Sequence, residues 1–310
     1  MEKRRIGGSD LEIAPLALGG NVFGWTANER TSFALLDAFV DAGGTMIDTA
    51  DVYSAWVPGH VGGESETVIG RWLKASGKRG RVQISTKVGF TDGLARDAVM
   101  KACDASLQRL GVECIDLYYQ HKDDTAVPLA ESLGAFEELR RAGKIRSAGL
   151  SQYTAERVTE AIAVADANGY ARPSALQTWY SLVERQKLEG PLRDAATAGG
   201  MSIIAFYALA NGFLTGKYRS REDLAKSVRG MRNVEYLEGR GPKVLAALDA
   251  ISAETGAALA TIALAWTMAQ PGIAAPLASA TSAEQLQESI AAMTFELGPH
   301  HFEQLDQASA

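Results

Sequence analysis

The stretch Gly44-Thr45-Met46-Ile47-Asp48-Thr49-Ala50-Asp51-Val52-Tyr53 contains a short apolar run that begins after a glycine and ends in polar residues. Similar runs recur along the chain, at residues 15–19, 82–87, 115–121, 147–150, 175–178, 202–207 and 273–277. They are continuous apolar blocks, which is typical of strands that are buried on both faces of a parallel sheet. Together with residues 45–49, the pattern predicts eight buried strands.

Amphipathic stretches separate these runs and predict helices near residues 31–42, 64–75, 96–110, 128–142, 154–168, 189–199, 241–256 and 257–269. Eight strands that alternate with helices predict an α/β fold, a (β/α)8 TIM barrel. Residues 3–13 surround a Gly-Gly-Ser-Asp turn and predict an N-terminal β-hairpin. We also expect extra C-terminal helices, including one over 283–292. No linker divides the chain, so we expect a single domain over residues 1–310.

Composition narrows the class of protein. The 310 residues are 46% hydrophobic and 22% charged, with a net charge of −6, which excludes a disordered chain, a collagen-like fibre and a disulfide scaffold. The acidic charge argues against a nucleic-acid partner. Cys103 and Cys114 match no metal or redox spacing, and no signal peptide or 18-residue apolar window is evident. We therefore expect a cytoplasmic protein with no membrane partner.

Four ionisable residues lie where strands of a TIM barrel present catalytic groups, at or after their C-terminal ends. Asp48 and Tyr53 follow the second predicted strand, Lys87 ends the third and His121 ends the fourth. Individually, such residues are often a helix cap, a solvated charge or a structural histidine. Together they suit proton donation to a carbonyl oxygen: a lysine lowers the tyrosine pKa, the aspartate holds the lysine, and the imidazole orients the substrate.

Residues 44–53, followed by Glu64-Ser65-Glu66 and Ile69-Gly70, resemble the first signature of the aldo-keto reductases. Lys87, Tyr119-Gln120-His121 and the segments 143–146, 149–153 and 214–218 resemble further blocks of that family, over residues 3 to 307. The resemblance implies reduction of small-molecule aldehydes or ketones to alcohols, with hydride from a nicotinamide. It makes Tyr53 the general acid, tuned by Lys87 and Asp48, with His121 positioning the carbonyl.

The resemblance also assigns the residues that bind the cofactor, which this family holds extended across the barrel mouth. The nicotinamide would contact Ser151, Gln152, Gln177 and Tyr207, and the diphosphate would contact Leu209, Asn211, Gly212 and Lys217. The adenosine end would contact Ser279, Thr281, Gln285, Glu288 and Ser289. Four positions depart from the usual residues: Gln152 and Ser289 replace Asn, Ser279 replaces Gly, and Thr281 stands where Arg or Lys is frequent.

The missing cation at Thr281 bears on the choice between NADP(H) and NAD(H), because a 2′-phosphate needs a positive partner. A basic stretch after the seventh predicted strand offers one, with only Glu222 and Asp223 to balance it nearby: Arg219, Arg221, Lys226, Arg229 and Arg232. The alternative interpretation is that the stretch is only a charged loop exposed to solvent. Thr281 or Ser282 would cap the helix that follows and offer backbone N–H groups to a phosphate. We expect NADP(H), with NAD(H) possible, and Arg229 among the cofactor-binding residues.

Aromatic residues of the rim loops are candidates for a substrate wall, principally Trp25 and Trp56, with Trp179 and Tyr180 as further candidates. The alternative is that these aromatic residues only pack one loop against another. Residues 54–63 form a longer segment than the start of a helix requires, so they would restrict the pocket or act as a lid.

Two other classes of function remain open at this stage. One is a slow-turnover NADP(H)-binding redox sensor or regulatory subunit, as in channel-associated barrels with the same four residues. The other is an aldolase that forms a Schiff base on Lys87. The only histidines are His60, His121, His300 and His301, and none forms a strand-end pair, so we expect no metal site. A monomer and a homo-oligomer both remain possible.

Overall fold

The predicted strands form one closed parallel barrel. The computed structural model of the protein describes residues 2–310, and the strands are β1 (Arg4–Arg5), β2 (Glu12–Ile13), β3 (Ala17–Gly19), β4 (Met46–Asp48), β5 (Gln83–Val88), β6 (Ile115–Gln120), β7 (Ile145–Ser151), β8 (Ala175–Trp179), β9 (Ser202–Phe206) and β10 (Ile273–Ala278). Strands β3 to β10 pair in chain order, and β10 closes the barrel against β3. The predicted TIM barrel is confirmed.

Helices connect the strands and surround the barrel. They are α1 (Glu29–Asp41), α2 (Glu64–Ser76), α3 (Arg96–Leu110), α4 (Leu129–Arg141), α5 (Ala155–Asn168), α6 (Pro191–Ala198), α7 (Gly241–Thr255), α8 (Leu259–Met268), α9 (Ala283–Ala291) and α10 (Pro299–Ser309). Both α7 and α8 lie between β9 and β10, so α9 is the helix of the eighth unit. Helix α10 is the additional C-terminal helix. Between β9 and α7 the chain forms short 3₁₀ turns over residues 210–237.

Local sequence chemistry explains where several helices begin and end. Asn28 and Thr154 accept hydrogen bonds from the backbone N–H groups of the first turns of α1 and α5, as N-cap residues do. Gly111 and Gly169 follow α3 and α5 with φ of 65° and 66°. A left-handed residue at this position ends a helix, and glycine adopts it without steric cost.

The predicted N-terminal hairpin, β1 with β2, closes the bottom of the barrel. Ile6, Leu11 and Ile13 have no exposed surface and pack into the cluster that contains Met46 and Leu117 from barrel strands. Apolar burial of this kind favours the closed arrangement by about 25 cal/mol per Å². The opposite, C-terminal end of the strands is therefore the end at which polar groups are accessible.

Strand register brings the polar strand ends together at that open end. Asp48 on β4 lies opposite Ser85 on β5, and Lys87 on β5 lies opposite Tyr119 on β6. Across the barrel, Ser151 at the end of β7 lies opposite Gln177 on β8. Since all these strands are parallel, their C-terminal ends form one rim.

Within residues 2–310, no single helix has the length and apolar composition needed to cross a bilayer. Helices α7 and α8 reach that length and composition only as a pair, with a bend of 103° between them.

Candidate active site

An ion pair between Asp48 and Lys87 lies at the centre of the open end. Lys87 Nζ is 2.5 Å from Asp48 Oδ2, and each side chain is 1% exposed. The ammonium group also donates to the backbone oxygen of Thr49 at 2.7 Å and to the Tyr53 hydroxyl at 3.0 Å. Its three hydrogens thus have three acceptors, which fixes the position of the ammonium group in a site without bulk water.

The second oxygen of Asp48 is held by two residues, one from the adjacent strand β5 and one from β8 across the barrel. Ser85 Oγ donates to Oδ1 at 2.8 Å, and Gln177 Nε2 donates to the same oxygen at 3.0 Å. With three donors, the buried carboxylate is fixed in its orientation. Ser85 is a residue that the sequence analysis missed; its alternation with Lys87 on one strand, two residues apart, is the signal that would have found it.

Tyr53 and Lys87 differ in how their environment affects their pKa. Burial opposes the charge on Lys87, but the attraction of Asp48 outweighs it, so the Lys87 pKa lies above its ordinary value. Burial raises the pKa of Tyr53, Lys87 lowers it, and the net result lies above the ordinary value. Lys87 lowers the Tyr53 pKa as expected, but the loss of hydration on burial outweighs that effect. Tyr53 is a neutral phenol, which is the form that can donate a proton.

His121 approaches Tyr53 from β6, with the two ring centroids 6.0 Å apart. The side chain is buried, and burial followed by repulsion from Lys87 lowers its pKa to about 2. Within residues 2–310, its Nδ1 has no hydrogen-bond partner. The imidazole is therefore neutral and retains the capacity to bind a polar group of a ligand.

An aromatic wall stands beside Tyr53 and His121. Trp56 lies 6.0 Å from the Tyr53 ring and 5.5 Å from Trp25, both edge to face. Phe90, in the loop after β5, lies 5.0 Å from the His121 ring. Both Trp56 and Phe90 are more than 40% exposed, so the wall faces solvent. The sequence analysis missed Phe90, although an aromatic residue three positions after Lys87 is in the right loop for such a wall.

The end of β7 and the end of β8 carry the residues expected to bind the nicotinamide. Ser151 is buried, and Gln152 donates from Nε2 to the backbone oxygen of His121 at 3.0 Å. Gln177 is also buried, with its Nε2 committed to Asp48. In both glutamines the side-chain nitrogen is thus used within the protein, while the oxygen is the atom available to a ligand.

Tyr207 follows β9 and lies over Trp179, with ring centroids 4.5 Å apart. Its φ of 54° is in the left-handed region, and it shares this feature with Ser54 and Gln152. Within residues 2–310, all non-glycine residues with positive φ lie in the loops after β4, β7 and β9; Ala210 and Asn211 complete the set. Such strained residues concentrate at functional sites.

Tyr180 does not belong to this wall. It has no exposed surface, its hydroxyl bonds Glu189 at 2.6 Å, and its ring stacks on Trp266. The expectation that Tyr180 contacts substrate is wrong, because the residue after Trp179 points into the packing between the barrel and its helices.

The turn after β9 carries four residues that were expected to contact a diphosphate. Leu209 precedes the turn, and Asn211 and Gly212 follow with φ of 54° and 87°. The Oδ1 atom of Asn211 is buried and has no partner among residues 2–310. Lys217 Nζ lies 5.0 Å from the centre of the Tyr218 ring. The Asn211 oxygen suits an N–H or O–H group of a ligand, and the Lys217 ammonium group suits a negative charge.

Fewer cations of the basic stretch are free to bind an anion than its sequence indicates. Three of its cations form ion pairs, namely Arg219 with Asp249, Arg221 with Glu238 and Lys226 with Asp223. The expectation that Glu222 and Asp223 alone balance this stretch is wrong, since Asp249 and Glu238 come from α7 and its approach.

Arg229 and Arg232 are the other two cations, and within residues 2–310 neither forms a salt bridge. The guanidinium of Arg229 lies 5.3 Å from the centre of the Trp25 ring, and Arg232 Nη1 is 3.5 Å from the Tyr207 hydroxyl. Burial lowers the pKa of Arg229. Arg229 therefore reaches toward the loop after β3, Arg232 stays beside Tyr207, and neither cation is neutralised by a carboxylate of residues 2–310.

Comparison with known proteins agrees with this geometry. The sequence model of the family described as "Aldo/keto reductase family" matches residues 15–310, which is nearly the whole chain. The chain belongs to the aldo/keto reductase family. This membership confirms the resemblance and makes the protein an oxidoreductase of a family that generally uses NAD(P)H and acts on small carbonyl compounds.

Three relatives illustrate the range of this family. "Aldo-keto reductase str7" of Strobilurus tenacellus is 33% identical over 94% of this chain and 84% of its own. "Aldo-keto reductase yakc [NADP(+)]" of Schizosaccharomyces pombe is 30% identical over 87% of this chain and 80% of its own. "Probable voltage-gated potassium channel subunit beta" of Oryza sativa subsp. japonica is 29% identical over 94% of this chain and 91% of its own.

In this family member, the adenosine end of a dinucleotide was expected near β10 and α9. Ser282 is the N-cap of α9, and Thr281 bonds Gln285 Oε1 through both its N–H and its hydroxyl. Ser279 Oγ donates to Asn21 Oδ1 at 2.8 Å. Glu288 is exposed and Ser289 is buried, with Ser289 Oγ donating to Gln285 O. Of the two capping candidates, Ser282 is the N-cap and Thr281 lies before it.

The residues of this site fit a nicotinamide dinucleotide. The guanidinium groups without salt bridges and the N-terminus of α9 suit its phosphates, and the orphaned Asn211 oxygen suits one of its N–H or O–H groups. A Schiff-base role for Lys87 fits poorly, since a nucleophilic lysine needs a lowered pKa and the Lys87 pKa is raised.

Proposed function

We propose that the protein reduces aldehyde or ketone carbonyls to alcohols with NADPH and that Tyr53 is the general acid. The observation that carries the proposal is the chain of contacts from Asp48 through Lys87 to the Tyr53 hydroxyl, at 2.5 Å and 3.0 Å. It places a neutral phenol against a permanent positive charge at the open end of the barrel. That arrangement supplies a proton and stabilises the phenolate that remains.

The proton follows a defined path in this proposal. A substrate carbonyl oxygen would accept hydrogen bonds from the Tyr53 hydroxyl and the neutral His121 ring. As negative charge develops on that oxygen, the Tyr53 proton moves to it and the O–H bond of Tyr53 breaks. Lys87 stabilises the phenolate oxygen 3.0 Å away, and Asp48 keeps the ammonium group in place. When bound, the reduced nicotinamide supplies the hydride that the carbonyl carbon accepts.

The nicotinamide end of the cofactor would lie between β7, β8 and β9. Ser151, Gln152 and Gln177 would hold its carboxamide, and Tyr207 would stack on the ring. The free oxygens of the two glutamines, whose nitrogens are already committed, suit the N–H groups of that amide.

The diphosphate would lie along the turn after β9. Leu209, Asn211, Gly212 and Lys217 would contact it, with Arg229 reaching over it toward Trp25. The adenosine end would lie at α9, against Ser279, Thr281, Gln285, Glu288 and Ser289.

NADP(H) is the preferred cofactor in this proposal, with NAD(H) the alternative. The two arginines without salt bridges, Arg229 and Arg232, would supply positive charge to the phosphate groups that both cofactors carry. The printed name of the S. pombe relative includes NADP(+).

Trp25 and Trp56 would form the apolar side of the substrate pocket. Their edge-to-face contact continues to the Tyr53 ring, so a flat apolar substrate would lie against them with its carbonyl at the Tyr53 hydroxyl. We expect aromatic or branched aldehydes to react better than short unbranched ones.

The direct test is a panel of aldehydes, sugars and ketones mixed with protein and either NADPH or NADH, followed by the loss of reduced-nicotinamide absorbance. The proposal expects turnover of several aldehydes with NADPH and at least tenfold tighter binding of NADPH than NADH. Turnover with NADH alone would overturn the cofactor assignment.

A second candidate is a regulatory subunit that binds NADP(H) tightly and turns over slowly. The similarity to a protein named as a probable channel subunit favours it. Co-purification of tightly bound cofactor, with negligible turnover on every carbonyl tested, would identify this role.

A further inference from the structure

Two histidines and a glutamate lie close together where the end of α7 meets the start of α10, on the outside of the barrel. Glu254 lies in the last turn of α7, and His300 and His301 lie in the first turn of α10. The Nε2 atoms of both histidines are 3.2 Å from the same carboxylate oxygen, Glu254 Oε1. Their rings are adjacent, with centroids 3.9 Å apart. Three potential ligand atoms thus surround one point.

The spacing matches the edges of a tetrahedral site. Imidazole nitrogen and carboxylate oxygen bind Zn²⁺ at about 2.0–2.1 Å, so neighbouring ligands in a tetrahedron are separated by about 3.3 Å. The two nitrogen–oxygen distances of 3.2 Å match such edges, and the two nitrogens lie within 4.8 Å of each other. Two imidazoles and one carboxylate also form a donor set that Zn²⁺ uses in proteins.

One of the three ligand atoms is buried without a hydrogen bond. His301 is 5% exposed, and within residues 2–310 its Nε2 makes no hydrogen bond, although Glu254 Oε1 is within 3.2 Å. A buried ring nitrogen whose nearest acceptor lies outside hydrogen-bond geometry is poorly satisfied, and it requires an explanation. His300 and Glu254 are more than half exposed, so the point between them is open to solvent.

We propose that Glu254, His300 and His301 bind Zn²⁺, with water completing the coordination sphere. The metal would join the end of α7 to the start of α10 and so hold the C-terminal helix against the barrel. No metal site was expected from the sequence, because no two of its histidines form a pair at a strand end. Here the pair lies on a helix, and its carboxylate partner is 46 residues away along the chain.

The helix ends and the His301 ring set the conditions for binding. The C-terminus of α7 favours a cation and the N-terminus of α10 disfavours one, so these effects oppose each other. His301 Nδ1 accepts a hydrogen bond from the Gly298 N–H at 3.2 Å, which places the ring proton on Nε2. Zinc binding at Nε2 requires the ring proton to move to Nδ1. The Gly298 N–H then loses its acceptor, so the entry into α10 adjusts when the metal binds.

The test measures zinc binding by the purified full chain. Isothermal titration with ZnCl₂ is expected to show one site of micromolar dissociation constant, and zinc is expected to raise Tm. Glu254→Gln and His300→Ala change exposed side chains, so the fold should persist. Each is expected to weaken binding by at least about tenfold and to remove the Tm increase. His301→Asn keeps an acceptor near Gly298 and is expected to act in the same way.

His60→Ala is the matched control, because it removes a histidine far along the chain, in the loop after β4. It is expected to leave zinc binding unchanged. Equal affinity in the wild type and the Glu254→Gln/His300→Ala double variant would overturn the proposal, because zinc would then bind elsewhere, for example at the cysteines. Absence of binding at millimolar zinc would overturn it as well.

Discussion

Lys87 and Asp48 form a buried ion pair whose ammonium group also contacts the hydroxyl of Tyr53. The nitrogen is 2.5 Å from the carboxylate, and both side chains are 1% exposed. Removing one partner from such a pair leaves an uncompensated buried charge, whereas removing both does not. The pair therefore connects the stability of the barrel to the chemistry at its mouth.

This relationship predicts a non-additive effect on stability. Asp48→Asn and Lys87→Met should each lower the free energy of unfolding by about 3–5 kcal/mol. The double variant should be less destabilised than either single variant. Urea unfolding of all four proteins measures the effect, and additive losses in the double variant would contradict the structure of the pair.

The pH dependence of reduction should lack a histidine titration. The pKa of His121 is lowered to about 2, and the pKa of Tyr53 is raised, so His121 stays neutral and Tyr53 stays protonated between about pH 6 and about pH 9. Reduction needs protonated Tyr53, so kcat/KM should stay level there and fall only as pH rises through the Tyr53 pKa. An inflection near pH 6.5 that disappears in His121→Asn would contradict this account.

Arg229 should contribute to cofactor affinity, because its charge has no carboxylate partner. Arg229→Ala is expected to weaken NADPH binding by about tenfold or more, as loss of a charge-assisted hydrogen bond does. Arg221→Ala, which removes a cation already paired with Glu238, is the control and should leave binding unchanged. Fluorescence titration with NADPH and NADH compares them. The diphosphate is common to both nucleotides, so the losses should be similar for NADPH and NADH, and unchanged binding of both would contradict the assignment.

Trp56 should affect substrates according to their size. Trp56→Ala removes the ring that contacts Trp25 and Tyr53, so KM for aromatic aldehydes should increase about tenfold. KM for acetaldehyde should change little. Val61→Ala, a change at a 91% exposed residue of the same loop, is the control. A uniform loss across all substrates would show that Trp56 supports the loop instead.

Asp51 offers a test of the electrostatics beside the site. Burial, and then repulsion from Glu66, raises its pKa to about 7, and its Oδ1 has no partner within residues 2–310. The unfolded carboxyl titrates near 4, so ionisation costs the folded state increasingly as pH rises from 4 to 7. Asp51→Asn removes this cost.

The Asp51→Asn variant should be more stable than the wild type by about 1–2 kcal/mol at pH 8, and by little at pH 4. Urea unfolding at the two pH values measures the difference. Asp97→Asn, at a 94% exposed side chain, should show no such pH dependence. A stabilisation that is equal at both pH values would contradict the raised pKa.

The barrel and the group of four strand-end residues could be predicted because their signals are local. Apolar blocks such as 115–121 specify buried strands, and parallel strands bring Asp48, Lys87 and His121 to one rim without further information. The second layer of contacts could not be predicted, since Gln177 reaches Asp48 from 129 residues away.

The electrostatic expectations failed for a related reason. In the sequence, only Glu222 and Asp223 are near enough to balance the five cations of the basic stretch, yet Arg219 pairs with Asp249 and Arg221 with Glu238 once α7 folds beside it. The pKa of Tyr53 likewise depends on burial as well as on its neighbour Lys87. Both quantities depend on tertiary packing, which residue spacing alone does not determine.

The proposed reduction depends on proton donation from Tyr53 to the carbonyl oxygen. The most direct measurement is kcat/KM for an aldehyde with NADPH in the wild type and in Tyr53→Phe, together with the NADPH dissociation constant of each. This account predicts that kcat/KM falls about 10²–10⁴-fold while NADPH binding changes less than about threefold. A Tyr53→Phe variant that keeps near-wild-type turnover would contradict it.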